Sequence, residues 1–380
     1  MSVTENKTTE NKTETAEDAD AESDTATEKK TNSFAGAVDW ELAAKTGVRL
    51  SPRGPKVSRY TAEAAVTELS EASIRAEGPV REVTRLADGL PIPAAQVVDR
   101  AGWVRAAAYS MEQMTGTGLG GDDADKGLLA GKPAGVQAGA MLAFLSSAIL
   151  GQYDPFTGPD GTLLLVAPNI VMVERALKVS PTDFRLWVCL HEVTHRVQFS
   201  SSPWLTDYMQ QSVAVLGEVG DESVSELVGR LGEALRERKR ANNGDGPAEQ
   251  RGVVGLLRAT QAPPQREALD RLLMLGTLLE GHADHVMDAV GPAVVPSVEQ
   301  IRRAFDNRRK RSANPVQRLI RALLGMDAKM EQYVRGKKFV DAVVGQVGMD
   351  QFNAIWTGPD TLPLTTEIEA PDKWIARVLG

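Results

Sequence analysis

Cysteine is almost absent: the chain of 380 residues has one, Cys189. No intrachain disulfide can form, so the fold must rest on packing alone, as expected in a reducing compartment. Aromatic residues make up only 5%, and histidine occupies just four positions. Positive charge is not in excess either. The formal net charge is -8, which argues against nucleic-acid binding, because a phosphate backbone is held by clustered Lys and Arg. Apolar runs long enough to span a bilayer are missing. The nearest, "AGVQAGAMLAFLSSAIL" (134–150), falls short of the roughly 20 residues needed and is broken by Gln137, Ser146 and Ser147. It reads as a buried helix. A basic segment followed by an apolar one is lacking at the N-terminus, so no secretory signal is expected and a cytoplasmic location is. No repeat of fixed period is visible.

What is there sets the organisation. Hydrophobic residues make up 42%, enough for a sizeable core. Residues 1–35 carry nine acids against four bases and almost nothing apolar. Such a segment cannot offset its ordering entropy by burial, and an acidic disordered tail is expected. Helical periodicity follows at 61–77 and 98–114. Gly116, Gly118 and Gly121 match GxGxxG, but the match follows a helix and leads into an acidic loop, so it reads as a connection. "TLLLVAPNI" (162–170) is short, apolar and bounded by Gly and Pro, and reads as a strand that ends at Pro168 or lies at a sheet edge. A peptide could add as a further strand there. Ser180 and Pro181 open a helix reaching Phe199. Further helices are predicted near 207–218, 221–240 and 265–289, after a Ser297–Gln300 capping box, and from Asn314 and Pro315 towards Val344. The last 30 residues read as mostly irregular, anchored by Trp356 and Trp374. "RRAFDNRRKRS" (302–312) reads as a solvated helix end. The fold class is mainly α with a small β-sheet (α+β).

All four histidines fall in two short segments, "CLHEVTHRVQF" (189–199) and "LLEGHADHVMD" (278–288). Positions four apart share a helix face, with Cβ atoms about 5–6 Å apart, so His191 and His195 can grip one metal ion. A carboxylate next to the first ligand, here Glu192, can take a proton from a metal-activated water. Buried histidines and a buried carboxylate need partners, and two facing helices sharing a metal would supply them. Cys189 is turned by about 200° from His191 and reads as a small core residue.

HEVTH on one helix, with Glu280 and Asp284 spaced E-x-x-x-D on a second, resembles the zincin metallopeptidases of the gluzincin type. More narrowly, the chain resembles an actinobacterial zincin-like family of unknown function, described as zinc-dependent hydrolases and in part associated with deazaflavin coenzyme biosynthesis. "VDWELAAKTGVRL", "DRAGWVRAAAYSM", "LLLVAPNI" and "FNAIWTGPDTLP" carry the same likeness. The resemblance implies a zincin-like architecture, with residues 36–380 as one domain that could divide into two subdomains flanking the metal cleft. It further implies Zn2+ on His191, His195 and Glu280, Glu192 as general base, and Asp284 holding His191. Glu280 and Asp284 differ by only about 40° around a helix, so they share a face. The oxyanion-stabilising residue of such peptidases has no motif here. His285 and Tyr333, with His282 and Tyr208, are the candidates. The expected activity is hydrolysis of a peptide or other amide-containing substrate. The alternatives are a catalytically silent zinc-bearing scaffold and a small-molecule amidohydrolase linked to coenzyme metabolism. The sequence does not indicate an oligomeric state.

Overall fold

The computed structural model describes residues 38–115, 131–217, 262–311 and 326–380, with side chains described for all of these except 306–311 and 326–333. The expected tail, the GxGxxG stretch, the 221–240 helix and the start at Asn314 lie outside the described residues, as does the Tyr333 side chain. The chain is mainly helical with one small sheet. Its elements are α1 (Trp40–Leu50), α2 (Arg59–Thr84), β1 (Gln96–Val98), α3 (Arg100–Thr115), α4 (Lys132–Leu145), β2 (Gly151–Asp154), β3 (Thr162–Val166), α5 (Ala167–Leu177), α6 (Pro181–Ser201), α7 (Trp204–Gly217), α8 (Pro263–Val294), α9 (Val298–Arg311), α10 (Met326–Phe352) and α11 (Pro371–Val378).

The sheet has the order β1-β3-β2, with β1 parallel and β2 antiparallel to β3. The apolar strand is therefore central: of the two alternatives drawn from Pro168, the sheet edge, with a peptide added along it, is overturned, and an end at the proline is what the strand shows. It is also shorter than expected, because Ala167 and Pro168 open α5, proline being well suited to a first helical turn. Burial on both faces explains its unbroken apolar run. Leu163 and Leu165 point into a core shared with α2, α5 and α6, whereas Leu164 and Val166 point into a second core with α3 and α4. A third core joins α8 and α10 to the C-terminal turns around Trp356 and Trp374. The C-terminal segment is more regular than expected, with 3₁₀ turns at Asn353–Trp356 and Pro359–Thr361 before α11.

Helix α6 runs through the middle of this arrangement. Ser180 caps it, accepting the Asp183 N–H, and Pro181 takes its first position. It is buried around most of its circumference, and buried ion pairs hold it in place. Arg196 pairs with Glu77 of α2, and Arg185 pairs with Glu174 of α5 at 2.7 Å and with Glu68 of α2. Helix α8 crosses α10 closely at Gly281 and Gly336, where a Cβ on either would strike the backbone of the facing helix. The Ser297–Gln300 capping box does not form. The Ser297 N–H donates to Asp183 Oδ2 at 2.9 Å, tying α9 to the start of α6 instead.

Candidate metal centre

Helix α6 presents His191 and His195 one turn apart, and α8 presents Glu280 opposite them. The two Nε2 atoms are 3.3 Å apart. Glu280 places Oε2 at 3.5 Å from His191 Nε2 and Oε1 at 3.9 Å from His195 Nε2. Donors bound tetrahedrally at 2.0–2.1 Å from one zinc-sized ion would stand about 3.3 Å from each other. The three residues thus fit a shared cation with little adjustment. Burial, and then the neighbouring His195, lower the His191 pKa to about 4, so the ring is neutral and its lone pair free at physiological pH.

The orientation of His195 comes from a residue absent from the sequence expectations. His195 Nδ1 donates to Gln198 Oε1 at 2.9 Å, which leaves Nε2 unprotonated and turned inward. The Gln198 amide donates in turn to the Leu279 carbonyl and to His282 Nδ1, both at 3.0 Å. These contacts fix the amide orientation and both histidine tautomers. Gln198 lies three positions after His195, on the same helix face, so the spacing held a signal. His282 is fully buried between Phe352 and Trp356, and burial, then His285 and His195, lower its pKa to about 3.

Asp284 does not take the expected place. Among the described residues it makes no hydrogen bond to His191. Burial raises its pKa, offset chiefly by Arg302. His285 is engaged elsewhere as well, with Nδ1 at 2.7 Å from Asp341 of α10. Asp341 also pairs with Lys337, which reaches Asp288. Tyr208 stacks edge-on against Trp204.

Glu192 is 7% exposed, and its pKa is raised well above the ordinary carboxylate value by burial and then by the charge of Glu280. Its carboxylate lies against Gly151, at the start of edge strand β2. A Cβ built on Gly151 would fall 2.8 Å from Glu192 Oε1 and 2.7 Å from Cδ. The missing side chain is the space the carboxylate occupies. Nothing in the sequence around Gly151 marked it.

A zincin-like metallopeptidase model matches residues 38–375, nearly the whole described span. The chain belongs to the zincin-like metallopeptidase family. Membership implies a metal, and the His191, His195 and Glu280 cluster is a donor set able to hold one. The chain also resembles a solved structure of a candidate hydrolase with a novel fold from Chloroflexus aurantiacus, at 28% identity and a TM-score of 0.61, with 90% of this chain and 98% of that one covered. No curated protein matches significantly. Among the described residues no helix is long and apolar enough to cross a membrane.

Proposed function

We propose that this zincin-like protein is a zinc-dependent hydrolase that cleaves an amide bond, with His191, His195 and Glu280 as the metal ligands and Glu192 as general base. The observation that carries the reading is the convergence of two imidazole nitrogens and a carboxylate at separations of 3.3, 3.5 and 3.9 Å, beside a buried acid that has no basic partner among the described residues. When bound, a zinc ion polarises a carbonyl and lowers the pKa of water. The protein's part is to place the proton carrier. Glu192, held between α6 and β2, accepts the proton of the attacking water and passes it to the departing amine. Gln198 holds His195 in the tautomer that points its lone pair inward. His285 is held by Asp341 and takes no part in the chemistry.

The test begins with metal content. The purified chain should carry about one zinc per molecule or take it up on reconstitution, and Glu280→Ala should not. A proteome-derived peptide library then looks for cleavage. Glu192→Gln should keep the metal and lose about 10²-fold or more in rate. Normal turnover by that variant would overturn the mechanism. A protein that binds no zinc after reconstitution would overturn the centre itself.

A further inference from the structure

A cavity of about 520 Å³ opens at the carboxyl ends of the parallel strands β1 and β3, and none of the four residues of the proposed centre lines it. Each strand passes directly into a helix, so the first turns of α3 (Arg100, Ala101) and α5 (Ala167, Pro168) both face the space. Crevices at the carboxyl ends of parallel strands are where open α/β sheets commonly receive ligands. Helix N-termini there favour negative charge. The α5 terminus has Val166 as its N-cap and no capping side chain.

The stronger observation is Arg100. Three arginines are buried among the described residues. Arg185 and Arg196 each face carboxylates. Arg100, only 6% exposed, faces none. Its Nε donates to Asn169 Oδ1 at 2.7 Å, and Nη1 donates to the carbonyls of Pro52 and Arg53 at 3.1 and 2.9 Å. Nη2 meets only the Met172 thioether at 3.7 Å, a weak acceptor. A buried cation surrounded by neutral groups is costly unless something supplies the opposite charge. Asp99 is the only acid in the lining, and its Oδ1 accepts the Gly102 N–H as the cap of α3. Arg53 adds a second cation at the exposed rim, leaving the lining one positive charge in excess. The remaining wall is largely Val, Pro and Ala, including Val57, Val66, Val97 and Val171.

We propose that this cavity is a second ligand site, which takes an organic monoanion: a carboxylate on a small apolar body. The carboxylate sits against the Arg100 guanidinium and the α5 terminus, and the body lies along the valines. Arg100 also holds the 52–53 loop over the cavity, so occupancy and loop order are coupled. The site is independent of the reaction proposed above.

Metal-free protein decides it, because a carboxylate could also ligate a metal at the other centre. The full chain, treated with chelator at physiological salt, is titrated calorimetrically with 3-phenylpropanoate and with its uncharged amide. The acid should bind saturably at one site, and the amide about tenfold or more weaker, the scale of one lost charge-assisted hydrogen bond. Arg100→Gln should abolish binding, but it could also release the loop. Ala62→Glu avoids that problem. Ala62 is an exposed lining residue in the first turn of α2, where an acid suits the helix and repels the anion. It should bind the acid at least tenfold more weakly with an unchanged melting temperature. Equal binding of acid and amide, unchanged affinity in Ala62→Glu, or no saturable heat at millimolar acid would overturn the proposal.

Discussion

Gln198 and Gly151 show how a few atoms could set the chemistry at the residue scale. Gln198 bonds His195, His282 and the Leu279 carbonyl at once, so Gln198→Leu should free the His195 ring and strand the His282 nitrogen. Zinc affinity, measured by competition with a chromophoric chelator, should fall about 10–100-fold, the usual cost of losing an outer-shell partner. Asp284→Ala, which removes no hydrogen bond to a ligand, should change it far less. The reverse ranking would restore the arrangement inferred from the resemblance. Gly151→Ala is expected to act differently, because its methyl group would occupy the space of the Glu192 carboxylate. Zinc content should be retained while any hydrolytic activity falls together with that of Glu192→Gln. That His191, His195 and Glu280 come together could be anticipated, because helical spacing set the two histidines on one face and the family resemblance pointed to Glu280. Gly151 could not be, since its role depends on a strand laid beside α6 by a distant part of the chain.

At the scale of elements, most helices could be read from periodicity and caps, and Ser180–Pro181 marked the start of α6 within a residue. The strand β2 could not, for "GQYD" has neither length nor alternation. Its pairing with β3 is a tertiary fact, as is the central place of β3. Ser297 and Gln300 had a sound local pattern, but Asp183 supplied a better partner from another helix. The buried charges on α6 were equally hidden. Glu77 accepts from both Arg81 and Arg196, while Arg196 also donates to the Pro93 carbonyl at 2.6 Å. Glu77→Ala would leave the Arg196 guanidinium buried without a counter-charge. Such losses cost about 3–5 kcal/mol, which chemical denaturation should register as a lower midpoint with an unchanged slope. A loss below about 1 kcal/mol, the worth of an exposed pair, would show that water reaches Arg196.

At the scale of the whole molecule, the proposed ligands stand on two helices that share cores: Val286 and Val290 of α8 join the core around α6, while Leu275, Leu278 and Leu279 pack with α10, the C-terminal turns and Phe199 of α6. A metal bridging them would bind the folded chain and not the unfolded one. At a free ion concentration of 100 times the dissociation constant that linkage is worth about 2.7 kcal/mol. With an unfolding entropy of about 2.1 cal/mol/K per residue, it should raise the melting temperature by about 4 °C. The pH dependence has a definite sign. His282 and His191 have folded pKa values of about 3 and about 4 against an ordinary 6.5. Between those values the unfolded chain holds more protons than the folded one. Metal-free stability should therefore fall as pH drops from about 6.5 towards 3. His282, being fully buried, should contribute more than the partly exposed His191. Protons also compete with metal for the imidazoles, so the metal-induced rise should be smaller at pH 5 than at pH 7. Calorimetric melting of wild type and Glu280→Ala, each with zinc and with chelator at both pH values, separates the two effects. The variant should keep the acid-side loss and show no zinc-dependent rise. A full rise in Glu280→Ala would mean that the ion sits elsewhere, and the bridge between the two helices would have to be abandoned.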